Sequence, residues 1–297
     1  MTTQQVPLLK SLQSAPQQYL KELLALHGPP DQFFQADPEK NTVLVGAKGT
    51  RLTIPPFAIT TPLGRPVRGP VEIRLKEAFT QAEMLMAGRP TTSEDRLMES
   101  AGQIMVRASQ GEGALPLKLA LPVAVRMPMR RKLRNPMSMR LFLGASSTFQ
   151  SYASGQNFDW GMASGGSVRV RKAEGQKYYD FQLRDFNWAG CDFFVARRAS
   201  RCMVTARPAS PVEKFDALLG YLVFKDIHAV ARMYPGKHNC TAVNIPEKLG
   251  ATAHLIGLSE GQLYYGCGTI RRAAEKLVDV KMQPVMEKEL IGALRGI

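Results

Sequence analysis

The stretch "GTRLTIPPFAITTPLGRPVRGPVEIRLKEAF" (residues 49–79) decides the fold class. Leu52 and Ile54 alternate with polar residues before the paired prolines, and Val71, Ile73 and Leu75 alternate with Glu72, Arg74 and Lys76 after "GRPVRGP". A period of two with one apolar side is the mark of a half-buried strand, and glycine and proline clusters mark the turns between strands. The stretch therefore reads as strand, turn and strand. It contains no paired nucleophile and base, no metal-ligand cluster and no phosphate loop.

The same periodicity extends outward. "NTVLVGAKG" places Val43 and Val45 on one expected buried side, "GQIMVRAS" places Ile104, Val106 and Ala108, and "LPLKLALPVAVRMP" is apolar at each odd position from Leu115 to Met127. Pro116 and Pro122 in that last run predict an edge strand or a break, because proline cannot donate to a ladder. Further strands are expected at "MRLFLG", "VRVR", "YYDFQL" and "CDFFVARR", with "AEGQ" as a hairpin turn, and the segment up to Gly166 reads as a Ser/Gly-rich loop. Four more short strands follow in "ALLGYLVFKDIHAVARMYPG" and "ATAHLIGLSEGQLYYGCGTI".

Two helices flank this β pattern. "SAPQQYLKELLALHGPP" (residues 14–30) offers Ser14 as a cap, Pro16 in the first turn, leucines at 20, 23, 24 and 26, and a Gly-Pro-Pro stop. "PVMEKELIGALRGI" closes the chain with a second amphipathic helix. The predicted fold is mainly β: an antiparallel β-sandwich at 35–130, a basic linker at 131–140 and a second β-rich domain at 141–297, with an N-terminal helix and linker at 1–34. A chain of 297 residues buries about three quarters of its unfolded surface, so this core needs no staples.

Composition narrows the function classes. The chain is 44% hydrophobic and 22% charged, and its 20 Pro and 25 Gly suit many short strands joined by turns. Its formal charge of +14 is concentrated: Arg126, Arg130, Arg131, Lys132, Arg134 and Arg140 fall within "RMPMRRKLRNPMSMR" without an acid, and "RVRK" and "ARRASR" add to them. Such clusters meet phosphate, acidic protein or anionic lipid, or they simply keep a surface solvated. No aromatic platforms interleave with them and no groove-reading motif is present, which argues against nucleic acid. The densest aromatic element, Phe186, Trp188 and Phe193 with Phe194, reads as a core anchor, with a partner surface as the alternative.

Catalytic and metal readings find little support. Cys191, Cys202, Cys240 and Cys267 are too scattered for a disulfide framework, and among them only "HNC" (His238, Cys240) has close ligand spacing for zinc. A carboxylate beside Cys191 disfavours a thiolate nucleophile. "GASSTFQSYASGQ" lacks the Gly-x-Ser-x-Gly elbow, so a hydrolase is the weakest class. No cofactor is expected. No window approaches the ~18 apolar residues of a membrane span and the N-terminus lacks a signal peptide's pattern, so the expectation for the chain as written is the cytoplasm.

Several of these motifs together resemble the ZU-five sandwich domain of ankyrins, netrin receptors and tight-junction scaffolds, in its bacterial, Bacteroidetes-type form. The resemblance rests on "GTRLTIP" (residues 49–55), "GRPVRGPVEIRLKE" (64–77), "MLM" at Met84, "TTS" (91–93) and "ESAGQI" (99–104), over about residues 35–130. It continues in "DFNWAGCDFF", where Trp188, Cys191, Asp192 and Phe193 correspond, while Ala189 and Gly190 stand where that family has Ile and Asn. The resemblance implies a sandwich followed by a second β-rich domain, an interaction role, no catalytic residues, and an envelope or extracellular setting as an alternative. The His-Phe-Ser tripeptide at which some relatives cleave themselves is absent from the sequence. The reading that results is a non-enzymatic structural or adaptor protein that binds other proteins, a second copy of itself included. The alternative is a module that binds an acidic glycan, lipid head group or nucleic acid through the basic surface.

Overall fold

The computed structural model describes residues 16–111, 116–130, 133–146, 158–173, 175–195, 199–209, 212 and 214–297. The protein is mainly β, with an antiparallel sandwich and then a second β-rich unit. The sandwich strands before residue 130 are β1 (Gln32–Ala36), β2 (Thr42–Val45), β3 (Arg51–Ile54), β4 (Ile59–Thr60), β5 (Val71–Ala78), β6 (Thr92–Ser93), β7 (Arg96–Ser109), β8 (Lys118–Leu119) and β9 (Val123–Pro128). After it come β10 (Arg140–Ser146), β11 (Phe158–Ser167), β12 (Arg169–Ala173), β13 (Gln176–Leu183) and β14 (Trp188–Phe194). One sheet runs β1-β5-β7-β14-β10-β11, with β6 on β7, and the facing sheet runs β12-β13-β9-β3-β2.

Sheet membership moves the division between the two β units from the expected 131–140 to the segment between Phe194 and Arg201. β14 pairs with β7 and β13 pairs with β9, so the chain returns twice to strands laid down before residue 130. Hydrophobic periodicity reports a strand's face and not its neighbour, so a returning strand looks the same as the start of a new domain.

Between the two sheets lies a core of Leu52, Ile54, Val71, Ile73, Leu75, Ile104, Val106, Val125, Tyr179 and Phe181, all buried. The alternation read around residues 49–79 thus points inward as expected. At β2 it does not: Leu44 faces the core, while Val43 and Val45 are 46% and 51% exposed. Pro116 and Pro122 flank the two-residue β8 and so mark a break, after which β9 takes a central place between β13 and β3. The expected loop up to Gly166 is in part the edge strand β11, paired with β10. Residues 147–157, which complete that stretch, lie outside the described residues, as do Ser14 and Glu174.

The second unit contains β15 (Arg201–Ala209), β16 (Ala217–Phe224), β17 (Val230–Pro235), β18 (Cys240–Pro246), β19 (Ala251–Ser259), β20 (Gln262–Ile270), β21 (Leu277–Lys281) and β22 (Gln283–Val285). They form one sheet in the order β21-β15-β18-β17-β16-β19-β20-β22. β21 adds to β15 in parallel while β22 pairs with β20, so one segment, 277–285, ties both edges and curls the sheet into a near-barrel. Gly266 permits this closure, because a Cβ there would lie 2.3 Å from the Lys281 carbonyl oxygen.

Among the described residues, three helices cover the outside of the near-barrel: α1 (Pro16–Leu26), α2 (Gln81–Met86) and α3 (Glu287–Arg295). Leu20, Leu23 and Leu24 of α1 and Leu290, Ile291 and Leu294 of α3 pack against Leu219, Tyr221, Ile256 and Leu258. The leucine face of the N-terminal helix is therefore used within the chain. Helix α2 starts at a capping box in which Thr80 and Glu83 accept each other's backbone N–H. It also bridges the units, since Gln81 Nε2 donates to the carbonyls of Phe224 and Ala229 at 2.8 and 2.9 Å. Backbone bonds from Thr91 N to Val230 O and from Ser100 N to His228 O, at 2.7 and 2.9 Å, complete the junction.

Candidate interaction surface

The outward face of the five-stranded sheet collects the basic residues. Register alone places Val45, Arg51, Arg126, Asp180 and Arg169 opposite one another on β2, β3, β9, β13 and β12, one residue per strand in a single row. Each lies at an outward position of a strand whose alternate residues form the core. Arg51 and Arg126 are thus direct cross-strand neighbours of like charge, an arrangement that is destabilising without a counter-ion.

Asp180 supplies part of that counter-charge. Its carboxylate lies 3.3 Å from Arg126 Nε and 3.6 Å from Arg171 Nε. One carboxylate divided between two guanidinium groups leaves the row cationic. The Arg126 guanidinium also lies 5.5 Å from the ring of Tyr178, which fixes its position on the sheet. Lys48, at one end of the face, is engaged by Glu83 and by the Glu77 carbonyl, while Arg130 donates to the Lys48 carbonyl at 2.5 and 3.2 Å.

Two adjoining hollows of about 620 and 660 Å³ reach this face and share Arg51 and Arg126, the first being bounded on its other side by Leu141 and Leu143 of β10 and residues 163–167 of β11. Their lining includes Arg51, Arg126, Arg130, Arg169, Arg171 and Arg184 against Asp180 and Asp185. Both are broad and half-open to solvent, a shape that suits a partner's surface better than an enclosed small molecule.

The residues singled out from sequence divide between this surface and other places. Arg126 and Arg130 belong to it, joined by Arg169 and Arg171 of "RVRK". Arg131, Lys132, Arg197 and Arg198 lie outside the described residues. Arg134 points to the junction between the units, where its backbone N–H donates to Glu99 and its Nη2 to the Asp226 carbonyl. Arg140 is exposed on β10 of the other sheet and does not line the hollows.

The aromatic element is not presented to a partner. Trp188 is 6% exposed and packs with Trp160, Phe142, Met98 and Met105, under the Arg89 guanidinium at 5.3 Å. Phe186 and Phe193 are half-buried against the sandwich core. Beside them Gly190 is required to be small, because a Cβ there would lie 2.2 Å from the Asp192 carboxylate. Arg51, missed from sequence, was signalled by its outward parity between Leu52 and its neighbours in β3.

The two buried thiols, Cys191 and Cys240, are poorly suited to nucleophilic work. Burial, reinforced by Asp192, pushes the Cys191 thiol well up, and burial pushes that of Cys240 up to about 12. Among the described residues no three His, Cys, Asp or Glu side chains are grouped to hold a metal ion. No helix among them is long and apolar enough to cross a membrane. No family model, curated protein or solved structure matches the chain.

Proposed function

We propose that the protein is a non-enzymatic adaptor that holds an acidic protein partner against the outward face of its five-stranded sheet. The observation that carries this reading is the row from Val45 to Arg169, which sets three arginines, Arg51, Arg126 and Arg169, against a single carboxylate, that of Asp180. An acidic surface laid on the row would relieve the Arg51–Arg126 repulsion and speed association through the long-range field. The ZU-five resemblance of residues 35–130 agrees with an interaction role. Flat sheet faces and the short, proline-flanked strands around them favour assembly without uncontrolled edge pairing.

Binding of a labelled poly-glutamate peptide, followed by fluorescence anisotropy at low and high salt, tests the proposal. Wild type should bind with an affinity that falls as salt rises, and the double variant R51E/R126E should bind at least about tenfold more weakly. Equal binding by the double variant would reject this face as the site. Tighter binding of heparin or single-stranded DNA than of poly-glutamate would instead support the same face as a glycan or nucleic-acid module.

A further inference from the structure

A second cationic site lies where helix α1, the segment after α2 and two strands of the near-barrel meet. A cavity of about 320 Å³ is lined there by Lys21 of α1, Arg89, Tyr221 of β16 and Arg232 of β17, with Leu24 and Met86 along its apolar wall. Tyr221 and Arg232 are direct cross-strand partners, so the barrel itself holds the hydroxyl and the guanidinium side by side. Arg89 Nη1 and Arg232 Nη2 both donate to the Gly88 carbonyl, at 3.3 and 3.5 Å, which brings the two guanidinium groups together.

We infer that this cavity binds a compact phosphoryl-class oxyanion, held by Lys21, Arg89 and Arg232 with the Tyr221 hydroxyl as a fourth donor. Capping the carboxyl end of α2 accounts for one N–H of each arginine, but it does not account for Lys21, which comes from another helix. The acid at the rim, Glu22, accepts from Gln18 Nε2 at 2.9 Å. Among the described residues neither Lys21 nor Arg232 takes part in an ion pair.

The electrostatics agree with an anion-shaped deficit. Burial, then Arg232, lowers the Lys21 ammonium below its ordinary value, and burial, Arg232 and Arg107 lower the Arg89 guanidinium to about 10. Burial raises the Tyr221 hydroxyl, with Arg232 and Arg89 opposing that rise, so Tyr221 remains a donor at neutral pH. Three cations and one hydroxyl converging on a half-enclosed space match a tetrahedral dianion, whose several oxygens accept more bonds than one carboxylate can. The apolar wall leaves room for a small organic group on the phosphoryl. Because its donors come from α1, the sandwich and the near-barrel, the bound anion would stabilise their mutual packing.

Thermal unfolding of the full chain in phosphate, against chloride at matched ionic strength, tests the inference, with calorimetric titration of inorganic phosphate as the direct measure. Phosphate should raise the midpoint saturably, and K21M and R232M should each bind it at least about tenfold more weakly, as removal of a charge-assisted bond predicts. In chloride alone K21M should be no less stable than wild type, because it relieves like-charge repulsion. The remote exposed-lysine variant K248M should keep the full phosphate effect. An unchanged phosphate effect in K21M and R232M overturns the site, as does an equal rise in chloride. Stronger stabilisation by citrate than by phosphate overturns the phosphoryl class. If R232M fails to fold, K21M decides alone, since Lys21 is only half-buried on the helix surface.

Discussion

The two sheets of the sandwich obey the same alternation, yet their outward faces have opposite fates. On the five-stranded sheet the outward positions are Arg51 and Arg169, both exposed, and Arg126 and Asp180, half-buried between them, a row crowded with positive charge. On the facing sheet the outward positions hold Met98, Met105, Phe142, Trp160 and Trp188, all buried beneath α2 and neighbouring segments. The Trp160 indole N–H donates to the Pro90 carbonyl at 2.8 Å, so the covering segment is hydrogen-bonded as well as packed. A period of two states that a strand has two different faces. Whether the second face meets water depends on what the chain later places over it.

Truncation would break this comparison most sharply. Trp160→Ala should cost about 3–5 kcal/mol in urea unfolding followed by circular dichroism, the usual effect of emptying an aromatic site that cannot collapse. A loss below about 1 kcal/mol would show that the covered face is loosely sealed.

The next effect depends on pH. Asp192 is wholly buried within the covered sheet, and burial pushes its carboxyl up to about 7, with the Ser100 side chain opposing the shift. A folded-state pKa above the unfolded value means that the contribution of this group is fully present below about pH 4 and is lost as the pH rises through 7. Asp192→Asn should therefore gain on wild type as the pH rises from 4 to 8, by on the order of a few kcal/mol at the upper end. A stability difference that stays constant over that range would place the carboxylate in a polar, compensated environment.

The open face should respond least. Arg51→Ser with Arg126→Ser should change unfolding free energy by no more than about 0.5 kcal/mol, and at low salt the change should be towards greater stability, because a like-charge pair is removed. A large loss would mean that these arginines hold the sheet together rather than display charge.

Much of this was legible in residues that answer to local rules. Val71, Ile73 and Leu75 faced inward as their spacing predicted, α1 ended at its Gly-Pro-Pro stop, and Arg126 and Arg130 lay on a basic surface as their clustering suggested. Other features were set by partners distant in the chain. Val43 and Val45 are exposed because the register of β2 sets Thr42 and Leu44, not the valines, opposite the buried Ile54 and Leu52 of β3. Arg51 joined the cationic row only when β3 paired with β9, and Arg169 only when β12 paired with β13. Trp188 left the set of surface candidates because α2 and Trp160 close over it.

By itself, then, the amino-acid sequence determined many of the strands and, β2 apart, the buried sides of those in the first sandwich, together with the flanking helices and the excess of positive charge, since each follows from propensity and periodicity within a few residues. Only the tertiary structure decided that β10–β14 return to the first sandwich, that arginines from separate strands align around one aspartate, and that Lys21, Arg89 and Arg232 meet beside Tyr221. Register and sheet order bring together residues more than a hundred positions apart, and no local pattern specifies which strand a given edge will accept.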